Sequence, residues 1–326
     1  MTPFDTPLVS VLIPAYNAER TIGAAITGAL TQTYGAIEVV VVDDGSTDRT
    51  RSICESYGDL ITFASIENGG TAHARNAAAG LARGEFFALC DADDILLPPH
   101  VSSLVAAYQG AGGGRRFVHG DAYLLTATGL THQRTVMYGH TPRRKDQRIV
   151  LLEENFVAIF TLFPREMFEE LGGFSPGVYL EDWDLWLRAV FNGWEVVGSH
   201  AAQAIYRQVV PTKSSDRRQV FDGEREVLRR VADGLTLSDR ERTYLERRLA
   251  CESPRALHDD AEAALRAGDF DLARRQFARA ARLWRSNRNL QVKAWLLRWP
   301  VIPTLWRRRL HRIDSKLGRD PGVSPR

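Results

Sequence analysis

Three carboxylates, Asp91, Asp93 and Asp94, follow directly on the apolar run Phe86 to Cys90. That run has the length and content of a buried strand. Carboxylates at the C-terminal mouth of a parallel strand sit where open α/β sheets take up ligands. Hard oxygen donors this close together suit Mg²⁺ or Mn²⁺, with phosphate oxygens completing the shell. The same residues also describe a solvated acidic turn, since Asp clusters end many strands. A second acidic group, Glu181, Asp182 and Asp184, opens the stretch Leu180 to Phe191. A helix there would align Asp182, Leu185 and Ala189 on one face and send Leu187 and Val190 into the core. The helix dipole favours a carboxylate in the first turn, whatever else that carboxylate does.

These groups need elements to position them. Residues 8–13 (LVSVLI) read as a first buried strand ended by Pro14, with Asn17 placed to cap a helix running to about Thr31. Residues 37–42 (IEVVVV) form a second strand, closed by Asp43-Asp44-Gly45-Ser46-Thr47-Asp48, a turn rich in capping side chains. A helix to about Tyr57, a strand near 60–64, Asn68-Gly69-Gly70 and a helix from Thr71 to near Gly84 precede the strand that ends in Asp91. Alternating strands and helices with short connections predict a parallel sheet covered on both faces. Beyond it lie a helix 100–109, a strand 117–125 carrying Asp121, a polar and basic loop 131–148, an apolar return 156–163 and a short helix 164–171. After the first strand the sequence is PAYNAE, neither a G-x-G-x-x-G dinucleotide fingerprint nor a Walker loop. A nucleotide on this sheet is therefore held by strand-end carboxylates and a metal rather than by a glycine loop.

The 326 residues, 44% hydrophobic and 25% charged, have ordinary globular composition. Cys54, Cys90 and Cys251 are far apart and form no CxxC pair, which predicts neither a disulfide framework nor a zinc site and fits a reducing compartment. The start, MTPFDTPLVSV, lacks the basic and apolar regions of a signal peptide. The net charge of +2 is unevenly spread, because residues 281–326 alone carry 12 Lys/Arg against 2 Asp/Glu. From Phe221 to about Ala250 the sequence predicts Arg/Glu-rich helices, and residues 259–283 read as one helical hairpin of the tetratricopeptide sort. The tail gathers Trp284, Trp295, Trp299 and Trp306 beside Arg307 to Arg309, with Pro300, Pro303 and charges that make it too broken to span a bilayer. Clustered tryptophans and arginines predict contact with an anionic membrane surface. Nucleic acid is not expected, since no nucleic-acid-binding motif accompanies the charge.

Four stretches, VSVLIPAYNAERTI, QTYGAIEVVVVDDGSTDRT, NGGTAHARNAAAGLARGEFFALCDADD and GGFSPGVYLEDWDLWLRAV, resemble the family 2 glycosyltransferases in order and in kind. The resemblance covers about residues 8–210. It implies a GT-A fold, an open and mostly parallel sheet with helices on both faces, here followed by an all-α C-terminal region. It divides the chain into a nucleotide-sugar domain, 1–215, and a helical region, 216–326. The activity it implies is inverting transfer of a sugar from a nucleotide-diphosphate sugar, of the UDP type, to an acceptor hydroxyl in cell-surface polysaccharide or glycolipid assembly. The implied cofactor is Mn²⁺ or Mg²⁺, the acceptor a glycan or lipid-linked molecule, and the location cytoplasmic, at the inner face of the membrane. Carried over residue by residue, Pro14, Tyr16 and Asp44 would line the nucleobase, and Arg75, Ala92 and Arg207 would contact the nucleotide sugar. Asp91 and Asp93 match the DxD motif, with Asp93 as the direct metal ligand, and Asp182 matches the catalytic base. Many members carry a histidine at the position of Val209, so a third protein ligand is not expected, and Tyr206, Arg207 or Lys213 would hold the diphosphate instead. Two other classes compete. A sugar-nucleotide nucleotidyltransferase would need a Gly- and Arg-rich phosphate loop that PAYNAE lacks, and a non-catalytic binding module would have no use for both acidic clusters.

Overall fold

The computed structural model describes residues 6–134, 141–208, 217–250, 254–283 and 288–297, with 299, 302–304 and 306. Contacts divide the chain into two compact units, Met1–Leu245 and Glu246–Arg326. The first opens with the predicted alternation: β1 (Val9–Ala15), α1 (Ile22–Leu30), β2 (Ile37–Asp43), α2 (Thr50–Glu55), β3 (Thr62–Ser65), α3 (Thr71–Leu81) and β4 (Phe86–Leu89). It continues through β5 (Ile95–Leu96), α4 (His100–Gly110), β6 (Arg116–Thr126), β7 (Gly129–Arg134), α5 (Arg144–Glu153), β8 (Thr161–Pro164), α6 (Arg165–Glu170), α7 (Glu181–Phe191), β9 (Glu195–Gln208) and α8 (Arg217–Gly234). Residues 217–245, read from the sequence as part of the helical C-terminal region, belong by their contacts to this first unit.

The strands form one sheet in the order β3-β2-β1-β4-β8-β6-β9-β5, with β7 on β6. From β1 to β4 the pairing is parallel, and the register sets Ala15 beside Asp43 and Leu12 beside Leu89, so the C-terminal ends share one edge. Beyond β4 the sheet is mixed. β8 runs antiparallel to β4 and to β6, and β5 antiparallel to β9, while β6 and β9 are parallel. The direction of β8 follows from its approach, because residues 154–160 cross the ligand edge before Thr161 and the strand must run back down.

Odd positions of β1 (Val9, Val11, Ile13) meet Ile22, Ala25, Ile26 and Ala29 of α1, and Val101, Leu104 and Val105 of α4 extend the same core. On the other face, rings of Phe87, Phe163, Phe168, Phe117 and Trp186 interlock at centroid distances of 5.1 to 6.4 Å. The expected loop 131–148 contains the end of β7 and the first turn of α5; residues 135–140 lie outside the described ones. The apolar signal of α5, Leu151 and Leu152, falls beyond that stretch. Its buried Gln147 gives a hydrogen bond to the Val196 carbonyl at 2.7 Å and accepts one from the Val196 N–H at 2.9 Å, docking a polar helix on β9.

In the second unit α9 (Asp239–Ala250), which begins in the first, is followed by α10 (Pro254–Ala267), α11 (Phe270–Leu283) and α12 (Arg288–Leu296). Leu257, Ala261, Leu265, Ala273, Phe277, Leu290 and Leu297 form its core. Trp306 stacks on Phe277 at 5.6 Å, whereas Val292, Trp295 and Trp299 are more than half exposed.

His100 at the start of α4 is fully buried beside Phe160, and burial pushes its pKa down to about 4. The folded state then holds fewer protons than the unfolded chain between pH 4 and 6.5, so this group's contribution is present above pH 6.5 and lost as pH falls towards 4. The difference is worth about 3 kcal/mol. His100→Leu should therefore flatten the acid limb: urea unfolding of wild type and variant should differ in stability by a pH-dependent amount that closes by about that much from pH 7 to 4.5. A constant difference over that range contradicts the assignment.

Candidate functional site

The edge where β1, β2 and β4 end is stitched by polar side chains. Asn17 adopts φ 48°, a conformation that Asn tolerates better than most residues. Its N–H donates to Ser46 Oγ at 2.9 Å and its Oδ1 accepts from the Thr47 N–H at 2.8 Å. Asn17 thus joins the β1 loop to the β2 turn instead of capping α1, which begins only after Thr21. Asp43 serves the turn, accepting from the Ser46 N–H and from Ser65 Oγ. Asp44 is buried, and its two oxygens accept the N–H groups of Gly69 and Gly70 at 2.9 and 2.8 Å, fixing the entry to α3. Gly45 is required in that turn: its φ is +74°, and a Cβ there would stand 2.9 Å from the Asn68 nitrogen.

Arg75 of α3 is 2% exposed. Its Nη2 donates to Asp91 Oδ1 at 2.6 Å and its Nη1 to Glu181 Oε1 at 2.7 Å, with the guanidinium over the Phe174 ring. Burial works against its charge, but Asp91, Glu181 and Asp182 more than offset this and hold it protonated more firmly than a free guanidinium. One cation therefore links the end of β4 to the start of α7.

Oxygens of Asp91, Asp93 and Asp94 lie within 4.8 Å of one another. Asp94 is buried and faces away from the role the sequence gave its neighbours: its Oδ1 accepts the Arg207 N–H at 2.8 Å. Arg207 Nε donates to the Asp93 carbonyl at 2.8 Å, so β9 clamps the acidic turn. Burial first, then the charges of Asp91 and Asp93, push Asp94 well above the usual carboxylate range. Loss of water in the cleft, then the charge of Asp91, also raises Asp93, although its side chain reaches the surface.

The second acidic group divides by role. Asp184 is buried and accepts from Ser175, Arg188 and Arg230 at 2.7, 2.8 and 3.2 Å, tying α7 to α8. Glu181 is committed to Arg75. Asp182 and Glu181 both line the cleft, and Asn155 Nδ2 stands 3.3 Å from Asp182 Oδ2. Burial, then the charge of Glu181, push Asp182 up to about 6 against the opposing pull of Arg75.

One cavity of about 770 Å³ gathers these groups. Pro14, Tyr16, Asp44, Arg75, Asp91, Ala92, Asp93 and Asp182 all line it; Arg207 does not, though its neighbour Tyr206 does. Val209 and Lys213 lie outside the described residues. Sequence reading missed Asn155, Tyr179 and Val220, which also line the cavity. The polar Glu154-Asn155 ahead of an apolar run, and Tyr179 just before the acidic pair, were the available signals.

Residues 10–172 match the family described as Glycosyl transferase family 2. An uncharacterized glycosyltransferase of Rickettsia typhi is 31% identical over 192 residues, covering 56% of this chain and 58% of that protein. The chain thus spans little more than half the length of this curated relative. The UDP-Glc:α-D-GlcNAc-diphosphoundecaprenol β-1,3-glucosyltransferase WfgD of Escherichia coli is 45% identical over 93 residues, 28% of this chain and 37% of its own. Among solved structures, S. aureus TarS 1–349 in complex with UDP-GlcNAc aligns with a TM-score of 0.61 at 17% identity, covering 96% of this chain and 92% of that one. The sheet and helices are therefore of the GT-A kind. With half of its length matched to one family, the strand-end carboxylates included, the chain belongs to glycosyl transferase family 2.

Proposed function

We propose that the protein is an inverting glycosyltransferase that moves a sugar from a nucleotide-diphosphate sugar to an acceptor hydroxyl. The observation that carries this reading is the meeting, in one cavity, of the carboxylates after β4 with Asp182 of α7, beside Glu181, which holds Arg75. Two ends of one reaction need such an arrangement: charge control where the diphosphate departs, and a base where the acceptor attacks.

The donor half rests on the β1, β2 and β4 ends. Tyr16, 52% exposed at the rim, offers a ring for a nucleobase, with Pro14 beside it. Asp44, already held by two backbone N–H groups, stands rigidly where a base N–H would meet it. Three crowded carboxylates, two of them raised by lost water and mutual charge, fit a hard divalent cation. Asp91 and Asp93 would hold it, since Asp94 is engaged by Arg207. Mn²⁺ or Mg²⁺ so held would supply positive charge to the departing diphosphate. UDP-GlcNAc in the TarS structure supports a UDP-sugar as donor.

Asp182 takes the proton of the acceptor hydroxyl as it attacks the sugar carbon from the side opposite the departing diphosphate. The bond to the acceptor oxygen forms as the bond to the diphosphate oxygen breaks, and the configuration inverts. A carboxylate lifted to about 6 is a better base near neutral pH than an ordinary one. Asn155 orients it. The lipid-linked acceptor in the name of WfgD supports a lipid-linked or surface-glycan acceptor here.

Among the described residues no helix is long and apolar enough to cross a membrane. We place the protein peripherally on the inner face of the membrane, through Val292, Trp295 and Trp299 and the basic charge of residues 281–326.

Asp182→Asn should lower transfer by ~10²–10⁴ while leaving donor affinity, measured by calorimetry, within a few-fold of wild type. Loss of donor binding would assign Asp182 to the nucleotide site instead. In wild type the rate should climb as pH rises through about 6, where Asp182 ionises, and level off above it. A rate that is flat from pH 5 to 7 rules Asp182 out as the base. Trp295→Ser with Trp299→Ser should release the full chain from anionic vesicles in co-sedimentation at low salt. Equal sedimentation of wild type and variant would remove these tryptophans from the membrane contact.

A further inference from the structure

Glu181 is spent on a contact that ties α7 to Arg75 of α3. A carboxylate, a guanidinium and a second carboxylate are buried in a row, Glu181–Arg75–Asp91, joining residues 106 apart in sequence. Apolar residues of similar size commonly replace such buried ion groups without loss of stability. The row lies between the two chemical halves of the cavity, and its end members differ in kind. Both line the cavity, but the Glu181 side chain is almost wholly enclosed, whereas that of Asp91 is 31% exposed. Arg75 engages Oδ1 of Asp91, and among the described residues no hydrogen bond reaches its Oδ2. A cation arriving at Asp91 therefore approaches a carboxylate that already touches a positive charge. Without a second carboxylate behind it, that guanidinium would repel the newcomer and compete for Asp91.

We propose that Glu181 is a positioning residue: it neutralises Arg75 from behind, so that Arg75 orients Asp91 while Asp91 stays available to a divalent cation. This inference rests on the metal reading of the Asp91–Asp93 turn. Glu181 acts through Arg75, as outer partners of metal ligands do, whose loss typically weakens metal binding ~10–100-fold.

The test is a Mn²⁺ titration of the full chain without nucleotide, following the free Mn²⁺ resonance signal, with circular dichroism to confirm the fold. Glu181→Gln keeps shape and an acceptor oxygen but removes the charge, and should weaken Mn²⁺ binding about tenfold. Glu181→Asp keeps the charge and should stay within about threefold of wild type. Adding Arg75→Met to Glu181→Gln removes the opposing cation and should restore binding, a coupling that a purely structural role does not produce. The double variant leaves neither Glu181 nor Arg75 as a buried charge, so it also serves if Glu181→Gln alone fails to fold. Unchanged binding in a folded Glu181→Gln, or a double variant that stays weak, overturns the inference. Wild type that binds no Mn²⁺ overturns the metal reading itself, and the inference with it.

Discussion

Arg75 carries a full positive charge to a place with almost no water, and that charge has to be answered on the spot. Leaving a guanidinium unpaired at 2% exposure is prohibitive, so Asp91 and Glu181 must both stay close. The consequence reaches well beyond one ion pair. Asp91 follows β4, the strand where the parallel half of the sheet meets the mixed half, and Glu181 begins the helix that carries Asp182. Fixing both to one side chain fixes the spacing between the donor half and the acceptor half of the cavity. Phe174 beneath the guanidinium and the Asn76 side chain, which donates to the Phe174 carbonyl at 2.8 Å, keep α3 and the approach to α7 in step.

The rest of the first unit supplies rigidity to that spacing. Parallel register brings the ends of β1 to β4 to one edge, and each end is then locked by side chains that hold backbone. Asp44 and Asp94 are the clearest cases, one holding Gly69 and Gly70, the other holding Arg207. Preorganisation of this kind is what a site for charge development needs, because groups that are already oriented do not have to reorganise during the reaction. Helix α8 adds a support from outside the matched region: Arg230 reaches Asp184, and Gly223 lets α8 approach so closely that a Cβ would sit 3.1 Å from Tyr179.

Much of this was readable because buried parallel strands are continuous apolar runs, and β1, β2 and β4 appear as such in 8–13, 37–42 and 86–90. Pro14, Tyr16, Asp44, Arg75, Asp91, Ala92, Asp93 and Asp182 were found from their motifs, and one cavity holds them all. The failures have physical causes. β5 is two residues long, too short for any periodic signal. α5 begins with charges and docks through an amide rather than an apolar stripe. Within the acidic groups the sequence could not tell which carboxylates face the cleft. That depends on partners far along the chain, such as Arg207 for Asp94, Arg230 for Asp184 and Arg75 for Glu181. For Arg75 a binding role was legible, but not burial between two carboxylates.

The central claim is that two sets of carboxylates lining one cleft carry out a single direct displacement. The most direct measurement is the anomeric configuration of the first-formed product, followed by proton NMR with an α-linked nucleotide sugar as donor and Mn²⁺ present. The account predicts a β-linked product from the earliest time point. An α-linked product would contradict it, since retention requires a chemistry in which Asp182 is not the base for a single attack.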